Sequence, residues 1–151
     1  MKTIILLFLS VLIFPAFGQT PPKTVLESFN KTFATAEDVA WEKEDNEWEA
    51  EFKLNGMEMS VSFDNSGNWL ETETEVEMKD VPADILKSVN LKFNGWEIEE
   101  IERIEKPDFK GYEMELENEE TESEILVSDA GVITIKEVNV NDEEDEQKDD
   151  D

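Results

Sequence analysis

The sequence predicts an α+β fold: two tandem αββββ units whose strands form one antiparallel sheet, with the helices on one face. Three observations predict it. Two short segments repeat the same helical spacing of apolar residues sixty positions apart. Each is followed by strictly alternating apolar and polar residues, the mark of half-buried strands. Glycine-bearing turn signals separate the alternating stretches. The units run from about 22 to 78 and from about 81 to 140.

The helices come first. Val25, Leu26, Phe29 and Phe33 make one apolar face, and Ile85, Leu86, Val89 and Phe93 repeat it. Pro22 and Pro82 stand at the openings, where a missing N–H costs nothing. In the first unit Trp48, Ala50, Phe52 and Leu54 alternate with Glu47, Glu49, Glu51 and Lys53. Asn55-Gly56 is a tight hairpin signal, and Met57, Met59, Val61 and Phe63 alternate back. Asp64-Asn65-Ser66-Gly67 turns the chain into a strand from Trp69 to Val76.

In the second unit Tyr112, Met114 and Leu116 alternate with Glu113, Glu115 and Glu117, then come Ile125 and Val127. The turn Ser128-Asp129-Ala130-Gly131 leads into Val132 to Val140. Here the offset between units is sixty-four, and the extra residues fall in Lys106–Gly111, which predicts a longer loop than Glu44-Asp45-Asn46. The first strands, near Val39–Lys43 and Ile98–Glu105, are the least regular. Ile98, Ile101 and Ile104 are three apart, which a β-bulge reconciles with a strand. Trp41, Trp48, Phe52, Phe63, Trp69 and Phe29 take the apolar phase and are expected in the core, while the phase of Trp96 is unclear.

The ends differ from the rest. Met1-Lys2, an apolar run from Ile4 to Phe14, Pro15 and Ala16-Phe17-Gly18 read as a secretory signal peptide over residues 1–18. A membrane anchor is the alternative, but the run is shorter than the roughly 20 residues a spanning helix needs. Asn141 to Asp151 holds eight acids, one lysine and no apolar residue, and is expected to be a disordered acidic tail. The domain between them covers residues 19–140 and is expected in the periplasm or secreted.

Charge narrows the partners. Forty acids against 13 basic residues give −27, and loss of Lys2 with the signal makes it −28. Such a polyanion repels nucleic acid and anionic membrane surfaces. Cationic proteins, cationic peptides and calcium are what its field attracts. Histidine and cysteine are both absent, so neither a Ser-His or Cys-His pair nor a His-based zinc site can form. No enzymatic activity and no cofactor are expected.

Helix, then VAWEKEDNEWEAEFKLNGMEMSVSFDNSGNWLETE, then VPADILKSV and a degenerate second unit resembles the PepSY-like, β-lactamase-inhibitor-like secreted proteins of Bacteroidetes. The resemblance spans residues 22–140 and is most specific at Trp41-Glu42, Glu47–Lys53, Phe63-Asp64 with Gly67, and Leu70–Glu73. It implies the fold of β-lactamase inhibitor protein, two αββββ repeats forming one curved antiparallel sheet, and no catalysis. The second unit departs from the pattern: Ile133 replaces Trp69, and the acidic run that follows is missing.

Two sets of residues are candidates for binding. Glu47, Glu49, Glu51, Glu58, Glu71 and Glu73 fall by alternation on the polar side of their strands, as a surface for a cationic partner. A solvated face that only keeps the protein soluble, with no specific ligand, is the alternative. Asp64, Asn65 and Asn68 gather oxygen ligands around Gly67 as a weak calcium loop; a plain hairpin turn is the competing reading. The expected function is an exported, non-catalytic binding module, with a calcium-binding protein or an acidic structural protein as alternatives.

Overall fold

The computed structural model describes residues 20–119 and 121–140, and for Val140 the backbone alone. The signal peptide and the acidic tail lie outside the described residues. Helix α1 (Lys23–Thr32) precedes β1 (Glu37–Glu44), β2 (Glu47–Leu54), β3 (Met57–Asp64) and β4 (Trp69–Glu75). A short 3-10 turn, Met78–Asp80, leads to α2 (Ala83–Lys92), then β5 (Glu97–Lys106), β6 (Phe109–Glu117), β7 (Thr121–Ser128) and β8 (Ile133–Val140). The eight strands form one antiparallel sheet in chain order. No helix among the described residues is long and apolar enough to cross a membrane.

Register decides which side chains meet the helices. Ala50 pairs with Val61, Val61 with Thr72, Thr74 with Arg103, and Arg103 with Tyr112. Paired residues share a face, so one side of the sheet runs from the first core to the second, and both helices pack on it. Val25 and Phe29 of α1 bury against Trp48, Ala50, Phe52, Val61 and Phe63. Val81, and Ile85, Val89 and Phe93 around α2, bury against Ile101, Tyr112, Met114, Leu116, Ile125 and Val127. The two cores share no residue.

Local chemistry sets the turns. Asn55 and Gly56 both have positive φ, 55° and 82°, which a two-residue hairpin of the type I′ kind requires. Asp64 Oδ1 accepts the N–H groups of Ser66 and Asn68, and Gly67 N–H returns to the Asp64 carbonyl at 2.9 Å. The β7–β8 turn is built alike: Ser128 Oγ accepts from Val132 N–H, and Gly131 N–H returns to the Ser128 carbonyl. Each turn meets a helix. Ser28 Oγ donates to the Gly67 carbonyl at 2.7 Å, and Ser88 lies beside Gly131.

Two expectations need correction. The loop at Lys106–Gly111 is not longer: Lys106 pairs with Phe109 across a two-residue turn, and the extra length lies in β5 and β6. Trp69 is not core. The register shift between Ser62 and Phe63 sets it opposite Phe63 at the start of β4, yet it stays 37% exposed, and its indole N–H donates to Thr72 Oγ1. Trp96 is half-buried, packing edge-on against Phe93 at 5.5 Å. The irregular first strands are both strands, with register shifts at Glu37/Ala40 and at Ile98/Glu100.

The two turn glycines differ in a measurable way. A Cβ on Gly67 would sit 2.6 Å from the Thr24 carbonyl oxygen, on backbone that cannot give; on Gly131 it would sit 3.4 Å from Ser88 Oγ. Both have positive φ. Gly67→Ala is expected to cost about 2–4 kcal/mol and Gly131→Ala only about 1 kcal/mol, read from urea midpoints. Equal losses would show that α1 does not bear on the turn.

Candidate outer-face acidic site

The sheet side away from the helices is covered by no element among the described residues. Alternation along each strand puts every second residue there. The register then lines up Glu49 with Ser62 and Glu71, and Glu51 with Ser60 and Glu73. It continues across the middle of the sheet, where Glu75 pairs with Glu102, Glu102 with Glu113, and Glu100 with Glu115. Glu115 pairs with Glu124, and Glu124 with Glu137 on the last strand. Like charges directly opposite one another destabilise a sheet, so this arrangement costs energy that the other face supplies.

Cations offset part of the repulsion. Lys106 pairs with Glu71, Lys53 with Glu58 at 3.2 Å, and Lys136 with Glu113 at 3.0 Å and with Glu124. Ser60 Oγ donates to Glu73 at 3.0 Å. Several carboxylates, partnered or not, respond by holding protons. Burial among neighbouring side chains pushes Glu102 up to about 8, with the charges of Glu73, Glu100, Glu113 and Glu115 adding to it. Burial also pushes Glu49 up to about 7, against a hydrogen bond with Ser60 and with help from the charge of Glu73. Glu113 rises to about 7, through burial first and then a hydrogen bond shared with Glu124. Burial raises Glu73, Glu100 and Glu115 in the same direction.

All six acids picked from the sequence, Glu47, Glu49, Glu51, Glu58, Glu71 and Glu73, fall on this face. The structure adds Glu100, Glu102, Glu113, Glu115 and Glu124, which extend it across the second half. The alternation of Glu113 and Glu115 was visible in the sequence; their opposition to Glu102 and Glu100 was not.

The residues proposed around Gly67 serve the turn. Asp64 accepts three hydrogen bonds, from Ser66 N–H, Asn68 N–H and Asn68 Nδ2, which hold its carboxyl below the usual range. Asn65 accepts from the Trp48 indole at 3.0 Å and donates to the Asn46 carbonyl. Among the described residues no three acids are grouped to hold a metal ion.

The raised carboxyls set a pH dependence. Their folded pKa lies above the unfolded value of 4.5, so the folded state binds more protons between them. Their stabilisation is therefore complete below 4.5 and lost as pH rises through about 7 to 8. Asp64 and Asp129 run the other way, but only below their ordinary 3.8. Melting temperature is expected to peak near pH 5 and fall toward pH 8.5. Glu102→Gln should raise it at pH 8.5 and leave it nearly unchanged at pH 5. A variant that melts lower at both would mean that Glu102 is not strained by its neighbours.

Known proteins place this architecture. A BLIP-like protein from Bacteroides fragilis superposes with a TM-score of 0.70 at 21% identity, covering 84% of this chain and 91% of that one. DUF2874 family proteins from Bacteroides ovatus and Bacteroides uniformis superpose at TM-scores of 0.72 and 0.71. Their identities are 21% and 23%, covering 82% and 80% of this chain and 89% and 90% of theirs. At these identities the likeness concerns the fold. None of the curated proteins matches. The family described as "Putative beta-lactamase-inhibitor-like, PepSY-like" matches residues 52–134, more than half of the sequence. The chain belongs to this PepSY-like, β-lactamase-inhibitor-like family.

Proposed function

We propose that this protein is an exported, non-catalytic binding module that engages a cationic protein or peptide through the outer face of its sheet. One observation carries the reading: carboxylates from β4 to β7 oppose each other in register, Glu75 with Glu102, Glu102 with Glu113, Glu100 with Glu115, and Glu115 with Glu124, on a face that no element of the described chain covers. A solvated surface needs charge but not opposed, half-buried charge. A partner's lysines or arginines would relieve the repulsion and release the protons it retains.

Several features support the setting. The signal-like residues 1–18 speak for export, and a fold neighbour from Bacteroides eggerthii is described among "putative periplasmic proteins". The two αββββ halves are read as copies of one unit. Lys43 stacks over Trp48 opposite it, as Arg103 stacks over Tyr112, and the Gly67 and Gly131 turns match. The centre of the binding face is assigned to Glu49, Glu73, Glu102 and Glu113, with Glu47, Glu51, Glu58 and Glu71 at its margin.

Affinity capture from envelope extracts at low and moderate salt tests this. A basic protein is expected, released as salt rises. Glu49→Gln with Glu102→Gln should weaken its binding roughly threefold to tenfold while folding stability at pH 8 holds or improves. Undiminished affinity across the salt series would remove the outer face as the site. Calorimetric calcium binding tighter than millimolar, abolished by Asp64→Asn, would establish the calcium reading instead.

A further inference from the structure

The two edges of the sheet are not alike. β1 is broken: Asp38 has a positive φ of 54° and the register shifts between Glu37 and Ala40. Such irregularity shortens the stretch another strand can pair with, here to Ala40–Glu44. Among the described residues β8 pairs only with β7, so none of them occupies its other backbone edge. It is also apolar on the helix side. Ile135 pairs with Ile125 and Val138 with Ser123, yet they remain 44% and 54% exposed. Leu91 of α2 lies three residues beyond Ser88, the residue facing Gly131 at the β7–β8 turn, and is 77% exposed.

Two objections are answered by the molecule itself. β8 has a register shift between Glu124 and Ile125 with Lys136 as its extra residue, and an edge lysine commonly guards against pairing. Lys136, however, reaches across the outer face to Glu113 and Glu124, so its charge points away from the free edge. A shifted strand can also still receive a neighbour. β4 has its own shift between Ser62 and Phe63, and its Thr72–Glu75 nonetheless pair with Glu102–Glu105 of β5. Glu137–Val140 offers β8 a stretch of the same length past its shift.

The charge selects the occupant. On the outer side the edge presents Glu137 with Glu124 behind it, and Asn139 with Glu122 behind it. A second copy would bring the same −27 charge and is repelled. We propose that the open β8 edge takes up an extended segment of a partner protein as a ninth strand, with alternating basic and apolar side chains. Its basic residues face Glu137 and its apolar residues cover Ile135 and Val138. Backbone hydrogen bonds supply affinity and the alternation supplies selectivity. The inference rests on the protein being a binding module, and not on the outer face being the site.

The probe is a short peptide of alternating lysine and valine, compared with the same peptide carrying backbone N-methyl groups and with a glutamate–valine version. The full mature chain is expected to bind the first saturably, and amides of residues 133–140 to gain exchange protection. N-methylation or Val138→Lys should weaken binding by about tenfold or more, and Val39→Lys on β1 by less than about twofold. Unchanged melting of Val138→Lys separates lost binding from lost folding. Equal binding of the methylated peptide with no protection of β8 would overturn the edge and leave the outer face standing. Protection of β8 in the free chain, with a dimer in sedimentation, would overturn it in favour of a second copy.

Discussion

Phe29 meets Trp41 and Phe52 edge to face at 5.2 Å each, and Phe33 closes on Phe52 at 4.8 Å. This aromatic packing beneath α1, with its aliphatic counterpart beneath α2, is what every strand depends on. Each strand has two rows of side chains. The helix-side row is apolar and buried, and each large side chain there contributes roughly 1.5–3 kcal/mol. The outer row is acidic and opposes itself across nearly every strand pair. Only the first row can hold the sheet together, and the cystine-free chain has no other staple.

That division explains why the outer face can stay acidic. Stability is supplied on one side, so the other is free to carry unfavourable charge. The carboxyls least able to reach solvent take up protons instead of collapsing the sheet, and Lys106 and Lys136 tie the remaining charge to particular strands. The β4–β5 junction is where the two cores meet, with only four residue pairs. Glu73, Glu75 and Glu102 crowd there, and Arg103 anchors the helix side through its bidentate contact with Asp129. The middle of the sheet is thus both its narrowest seam and its most strained acidic point.

The sequence announced whatever depends on neighbours along the chain. Period-two alternation located β2, β3 and β6, Asn55-Gly56 located their hairpin, and helical spacing located α1 and α2 at the residues they occupy. It also placed the six acids of the first half on one face. What it could not announce depends on neighbours across the chain. Glu102 looks like any acid in an irregular stretch until β5 lies between β4 and β6, which sets it opposite Glu75 and Glu113. Trp69 shares its parity with Glu71 and Glu73, and the register shift that sets it opposite Phe63 is a pairing event that no local pattern records. The predicted loop at Lys106–Gly111 failed similarly, because Pro and Gly signal a turn but not how far the strands extend into it.

The central claim is that from β4 to β7 the outer row holds opposed, self-repelling carboxylates on a face that no described element covers. The most direct measurement is a residue-resolved NMR titration of the glutamate carboxyl carbons in the free protein. The account predicts that Glu102 titrates near 8 and Glu49 and Glu113 near 7. It also predicts that Glu73→Gln or Glu113→Gln shifts Glu102 downward, because those neighbours are already charged when Glu102 titrates. If Glu102 titrates near the ordinary 4.5, or removal of Glu73 or Glu113 leaves it unmoved, the carboxylates are independently solvated and the face is not the strained surface described.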